Sequence, residues 1–456
     1  VEGNIDLREL ARDWVERGRA LVGARVELEV FVQEQRGLTV KAYAGEVEGL
    51  RYSHSRGVGV RAISEGRIGY AYCTGLEWDD GERAIEEAAA NSRYSTPDDN
   101  NVLPVHGDYI QEDLGIYDAE VEGTDSVDKV EMALGLERLT IESDKRISRV
   151  ETAVYADSVA RVAVANTAGV CGSYRSSDCY CYVFPIAQEG DDSQTGFSFD
   201  LGVKPSELDL AKVAREASER AVCLLGSRSM PSRRTTLVLD SFVAAEFLGM
   251  LAAALSAEAV LKGRSFLAGK VGECIADPMV AIVDDGLLPG APSTAPFDDE
   301  GVPTRRKELI SDGVLQGYLH NTYTATRAGT TSTGNASRGS FRDRPHVGAT
   351  NMYLQPGRGV RDDILRKVGD GVLVLQVVGA HAGANPISGE ISLGALGLLV
   401  ENGEPVRPLR EITLAGKALD FLRDVVAVGE DMRFLPFEGS LGAPTIAVKD
   451  VMISGR

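Results

Sequence analysis

Along the first hundred residues the spacing of apolar side chains changes period twice. Over residues 6 to 21, Leu7, Leu10, Ala11, Trp14 and Val15 recur at helical spacing, and Asp6 with Glu9 stands in capping-box positions. From residue 25 to 74 the period shortens to two. RVELEVFVQ alternates apolar and polar residues, LTVKAYAGEVEGLRYS crosses a Gly turn, and GVGVRAI and RIGYAYCTG follow. Helical spacing returns over 80–94, which gives a first α/β unit at 1–96. The segment from Pro97 to Asn101 reads as a linker. A second α/β unit is expected at 102–225. It has a helix over 126–142 capped by Ser126, and strand-like runs around RVETAVYADSVARVAVANTAG, SYRSSDCYCYVFPIAQEG and TGFSFDLG. A closing helix over 206–225 has Leu210, Val213, Ala214, Ala217, Ala221, Leu224 and Leu225 on one face.

Gly, Ser, Pro and charge concentrate in GSRSMPSRR, residues 226–234, which marks the next boundary. Beyond it lies a third unit, 235–456. It opens with a buried-type strand, TTLVLDS, and a long Ala-rich helix over 242–262. Strands and Gly-rich turns follow, in a chain with fifty glycines. No simple short repeat is present. The fold class expected is α+β (mixed α/β), an N-terminal α/β region followed by a β-rich C-terminal domain.

Composition narrows the function classes. A hydrophobic fraction of 43% is enough for substantial cores. No run approaches the roughly 18 apolar residues of a membrane span. The start of the chain carries neither a basic nor an apolar leader pattern, so a cytoplasmic protein is expected. The net charge of -20 comes without any clustered basic face, which argues against direct nucleic-acid binding. The six cysteines are scattered. Cys179 and Cys181 share one face of a strand but lack the further ligands of a zinc site, so the cysteines read as small hydrophobes.

Catalytic motifs are scarce. The five histidines are His54, His106, His320, His346 and His381, and none lies within six residues of another. The compact helical motif of zinc peptidases, with two imidazoles on the metal and a carboxylate to take the proton from its water, therefore does not occur. There is no nucleophile elbow and no dinucleotide loop, and the glycines around Gly263 are misspaced for a phosphate loop. Asp284–Asp285 and Asp298, Asp299 and Glu300 read as solvated acidic loops. Polar stretches offer the remaining candidates for a groove or interface. His320, Asn321, Tyr323 and Asn335 fall in or beside YLHNTYTATRAGTTSTGN, and His381 and Asn385 in VVGAHAGANPISGE.

Two long runs resemble the TldD/PmbA peptidase family, once described as gyrase modulators. One extends from FLAGKVGECIADPMVAIVDDG through YLHNTYTATRAGTTSTGNA, and the other is HAGANPISGEISLGALGLLVENGEPVRPLREITLAGKALDFLRDVVAVGEDMRF. GLTVKAYAGEVEGLRYSHSRGVGVRAISEGRIGYAY is similar to the family's first domain. In the TldD-like branch a helix before the V-G-E segment carries H-E-x-x-x-H, and a distal Cys completes a zinc site. An ungapped count back from Val271, Gly272 and Glu273 places Leu248, Gly249 and Ala253 at those positions, and the C-terminal run has no Cys.

The resemblance thus implies a TldE/PmbA-like subunit of a heterodimeric zinc peptidase acting on small or unfolded peptides. No cofactor is expected in this chain and no residue is expected to be catalytic. Zinc is expected in a TldD-like partner. The alternative is a stand-alone homodimer that binds a peptide or small ligand. An enzyme of different chemistry, using His320 or His381, is a third reading.

Overall fold

The structure, a computed structural model, describes residues 5–105, 107, 109, 113–379, 383–435 and 440–455. It bears out the mixed α/β class. The strands, in chain order, begin with β1 (Glu27–Tyr43), β2 (Glu46–Ser64), β3 (Arg67–Cys73), β4 (Ile147–Asn166), β5 (Cys171–Glu189), β6 (Asp192–Thr195) and β7 (Ser198–Gly202). These form one sheet in the order β3-β2-β1-β4-β5-β6, with β7 on β5. The expected units 1–96 and 102–225 therefore share a single antiparallel sheet, joined along β1 and β4 from Glu29↔Asn166 to Ala42↔Ala153. Each half runs helix, strands, helix, and the strand order is reversed about the seam.

Helices α1 (Leu7–Val22) and α2 (Trp78–Ser92) cover one end of a sheet face. Two later helices, α4 (Ser126–Ser143) and α5 (Leu210–Val222), follow the short α3 (Glu120–Gly123) and cover its other end. Even-numbered β1 residues supply both cores, with Leu28, Val30 and Val32 under the first pair and Leu38, Val40 and Ala42 under the second. The hairpin between β1 and β2 turns at Ala44 and Gly45, both at positive φ (56 and 78), the conformation of a tight two-residue turn. Asp6 caps α1 as the sequence suggests. The cap of α4 is Asp125 rather than Ser126, because the Asp125 carboxylate accepts the Val127 N–H at 2.9 Å.

The C-terminal strands are β8 (Arg233–Leu239), β9 (Ile282–Asp285), β10 (Arg306–Ser311), β11 (Val314–Leu315), β12 (Ala336–Ser337), β13 (His346–Val347), β14 (Asn351–Leu354), β15 (Gly371–Val378), β16 (Glu390–Glu401), β17 (Glu404–Lys417), β18 (Val425–Val428), β19 (Arg433–Leu435), β20 (Ser440–Ala443) and β21 (Ile446–Ser454). One six-stranded sheet runs β11-β10-β9-β14-β20-β19, and another runs β17-β16-β15-β8-β21-β18. An additional pairing of β17 with β21 closes part of the second sheet into a ring. The large C-terminal core contains α6 (Ser241–Leu255). The expected single helix over 242–262 is two. Ser256 is extended and bridges to Leu319, and Ala257 N–H donates to the Leu319 carbonyl at 2.9 Å before α7 (Ala257–Leu261) begins. Among the described residues no helix is long and apolar enough to cross a membrane.

A buried ionic chain fastens the first sheet to the C-terminal loops. On its other face, Glu29 of β1 sits opposite Arg61 of β2. Arg61 donates to Glu29 Oε2 at 2.5 Å and to Glu300 Oε1 at 2.6 Å, and Arg338 donates to the other Glu29 oxygen. Glu29 and Glu300 are completely buried. Beside them Phe341 lies against Gly57, where a Cβ would sit 2.3 Å from its ring, so glycine is needed for the approach. Removing Arg61 would strand two buried carboxylates. Arg61→Ala is expected to cost about 3–5 kcal/mol, read as a lower urea midpoint. An unchanged midpoint would show that the chain does not hold the units together.

Candidate functional site

Helix α6 starts where Asp240 accepts the Phe242 N–H at 3.2 Å, and it is apolar almost all round, as befits a buried helix. Ala244, Ala245, Leu248 and Leu251 face the core. Val243, Glu246, Phe247, Gly249, Met250 and Ala253 face a cavity of about 490 Å³. Its far walls come from Leu239 at the end of β8, Ile391 and Leu393 of β16, and Leu414 of β17. Leu435 and Leu441 close it, and Phe421 stacks on Phe247 with centroids 5.5 Å apart. Glu246, Gly249 and Ala253 follow one another along a single helical stripe, with Glu246 and Ala253 exposed at the mouth.

Of the three positions matched to the zinc motif by the ungapped count, Leu248 is buried in the core, and Gly249 and Ala253 line the cavity. A zinc site needs three or four nitrogen, sulfur or oxygen donors converging at about 2.0–2.3 Å. Among the described lining residues only the Glu246 carboxylate and the backbone offer donors, with no His and no Cys. The described lining residues do not by themselves fit a zinc ion.

The polar residues singled out from the sequence lie elsewhere. His320, Asn321 and Asn335 come together in the loops on either side of α8 (Thr322–Ala328). Asn321 caps that helix by accepting the Thr324 N–H at 2.9 Å. Thr333 ties the loops together, its hydroxyl within 3.0 Å of the His320 carbonyl and 2.7 Å of Asn335 Oδ1. Burial pushes the His320 imidazole below its ordinary range, and its Nδ1 has no hydrogen-bond partner among the described residues. Tyr323 donates to Asp98 at 2.9 Å, a contact to the first half of the molecule. Asn385 is exposed, far along the chain, and accepts the Ile387 N–H at 2.9 Å in a turn beside Pro386 at the apolar cavity. His381 lies outside the described residues.

Asn335 satisfies its whole side-chain inventory. It donates to Asp284 Oδ2 and to the Gly348 carbonyl, both at 2.9 Å, and accepts from Lys307 Nζ at 2.9 Å and from Thr333. This corrects the reading of the acidic runs as solvated loops. Asp284 and Glu300 are fully buried, and Asp285 and Asp298 nearly so. Asp284 is paired with Lys307 at 2.8 Å. The partners stand far away in sequence, so an acidic run alone gave no sign of them. Cys179 and Cys181 are buried as expected, whereas Cys274 is exposed.

Asp298 and Asp299 border a second cavity of about 430 Å³, more polar than the first, lined also by Tyr174, Ser176, Ser293 and Thr350. Burial and the neighbouring Glu300 push the Asp298 carboxyl up, against three backbone N–H donors at 2.9–3.0 Å. Burial raises Asp299 to about 6, against the pull of Arg338. A carboxyl raised on folding contributes stability that is present at low pH and lost as pH rises through its folded pKa. Asp299→Asn should therefore gain stability relative to the parent as pH climbs through about 6. Parallel Tm-versus-pH curves for the two proteins would contradict this.

Comparison with known proteins covers almost the whole chain. Residues 28–92 match PmbA/TldA metallopeptidase domain 1, residues 120–225 the central domain, and residues 232–455 the C-terminal domain. "Metalloprotease PmbA" of Escherichia coli O157:H7 is 29% identical over 94% of this chain and 92% of its own length. A Thermotoga maritima structure described as a candidate modulator of a DNA gyrase superposes with a TM-score of 0.89 at 30% identity, over 97% of this chain and 100% of that one. TldE from Thermococcus kodakarensis gives 0.88 at 25% identity, over 98% and 100%.

Proposed function

The chain belongs to the PmbA/TldD metallopeptidase family, and from that premise we propose that it is a non-catalytic, TldE-like subunit of a heterodimeric zinc peptidase. One observation carries the reading. The helix that would present metal ligands in the catalytic branch turns Val243, Phe247, Gly249, Met250 and Ala253 to its cavity, with a single carboxylate, Glu246, at the rim. Hydrolysis of a peptide bond by zinc requires the ion, an open coordination position and a base near the bound water. A stripe with one oxygen donor supplies none of these together.

In this reading the zinc resides in a TldD-like partner, and this subunit supplies one wall of the space that peptides enter. Its likeness to TldE from Thermococcus kodakarensis supports that assignment. The work is done in the cytosol, on peptides small or unfolded enough to reach the enclosed centre. Regulation of DNA by direct contact is not part of the proposal, because the chain carries a net charge of -20 and its sequence has no clustered basic run.

The purified chain should carry well under one zinc per molecule by elemental analysis and should leave unstructured peptides intact. Co-expressed with a TldD-like chain from the same source, it should co-elute as a one-to-one complex that does cleave. Stoichiometric zinc or peptide cleavage by the isolated chain would overturn the assignment. A homodimer that ignores every TldD-like chain would favour the stand-alone binding protein instead.

A further inference from the structure

We infer that a third cavity, where α5 meets the N-terminal ends of α6 and α9 (Arg361–Val368), binds a free α-amino acid with an aliphatic side chain. Its lining shares no residue with the apolar cavity, so the site is independent of the subunit assignment.

The charges around this cavity divide into engaged and open ones. Arg220 donates to Asp240 and to the Leu375 carbonyl, and Arg433 holds Glu216 at 2.8 Å. Both guanidinium groups lie over the Phe242 ring, at 4.2 and 4.8 Å. Asp431 accepts the N–H and the hydroxyl of Thr445. Arg361 is held more loosely. It lies 3.7 Å from Asp240 and 3.6 Å from Asp362, near enough to balance charge and too far to hydrogen-bond. Lys212 and Glu219, both on α5, have no side-chain ion pair or hydrogen bond among the described residues. Open charges of both signs therefore face one space.

Ser241 is the independent sign of a ligand. It is the first residue of α6, only 8% exposed, and it lines the cavity with no partner for its hydroxyl among the described residues. Buried hydroxyls ordinarily have a partner. It also stands at the positive end of a 15-residue helix, where first-turn N–H groups lack intrahelical acceptors. Asp240, the cap, takes the Phe242 N–H, and Arg220 and Arg361 offset its charge. Ser241 and Arg361 together suit a carboxylate. Glu219, next to Arg220 on α5, suits an ammonium. A simple anion would leave Glu219 facing it, whereas a carboxylate and an ammonium on one carbon satisfy both. Leu365, Leu375 and Leu398 form an apolar wall where an aliphatic side chain would leave water. The volume, about 590 Å³, falls within the roughly 300–1,000 Å³ of ligand sites.

Calorimetric titration of the full chain with L-leucine tests this, against leucinamide, N-acetyl-leucine and glycine. Leucine should bind about tenfold or more tightly than each, the effect of one lost charge-assisted hydrogen bond or one lost buried side chain. Ser241→Ala removes a hydroxyl that bonds nothing in the fold. It should keep Tm, weaken leucine about tenfold and leave leucinamide unchanged. Glu219→Gln should bring leucine down to the level of N-acetyl-leucine. Should Ser241→Ala lower Tm, Arg361→Gln, at an exposed position, decides in its place, by weakening leucine and sparing leucinamide. No saturation by millimolar leucine, equal affinity for the blocked forms, or leucine binding indifferent to these variants would overturn the inference. Zinc content and peptide cleavage bear only on the subunit assignment, so the two can fail separately.

Discussion

Four buried charges on four segments of the chain depend on one another. Arg61 stands between Glu29 and Glu300, and Arg338 takes the second oxygen of Glu29. Burial disfavours the Arg61 guanidinium, but its two carboxylates more than offset that and hold it firmly protonated. The Glu300 carboxyl is kept low in turn, by Arg61 and by Thr322, whose N–H donates at 2.9 Å. Thr322 opens α8, so the same carboxylate that fastens the first sheet also fixes the loop holding His320 and Asn321. Arg338 further lies over the Phe31 ring at 4.6 Å. The relative placement of the sheet, the acidic loop and α8 thus leans on a few charge-assisted bonds between buried groups.

The regular elements were readable because each buries one face. Leu7, Ala11, Trp14 and Val15 mark α1 at a period of 3.6, and Leu28, Val30 and Val32 mark β1 at a period of two. What a strand pairs with is not written in its alternation. Nothing in residues 27–43 announces that their partner is 147–166, and so the single sheet spanning both halves was not visible. The charged network was hidden for a related reason. Asp298, Asp299 and Glu300 look like any exposed acidic loop until Arg61, from 239 positions earlier, is brought beside Glu300. The break at Ser256 depends on a bridge to Leu319, a contact with no local signature in a run of good helix formers.

The cavity of the acidic loop and the apolar cavity differ in chemistry. The more polar one lies between the sheet and the acidic loop, where Ser177 and Thr304 donate to backbone carbonyls and Asp298 accepts backbone N–H groups. The apolar one lies within the C-terminal core, where small residues on α6 leave space that larger ones would fill. Polar patterning drew attention to the first region. The second is made by what is absent from Gly249 and Ala253, and in sequence these look like ordinary members of an Ala-rich helix.

The ring in the C-terminal sheet has a consequence for synthesis. Its strands are β8, β15, β16, β17 and β21, and β21 pairs with β8, β17 and β18 together. Residues 446–454 are therefore a central staple rather than an appendage. Until they leave the ribosome, β8 and β17 each offer an unpaired edge, and the core around α6 stays open on that side. The first sheet can be complete while the ring still waits for its last strand. A chain that lacked only residues 446–454 would be complete in its first sheet and would carry bare strand edges on β8 and β17 in its C-terminal one.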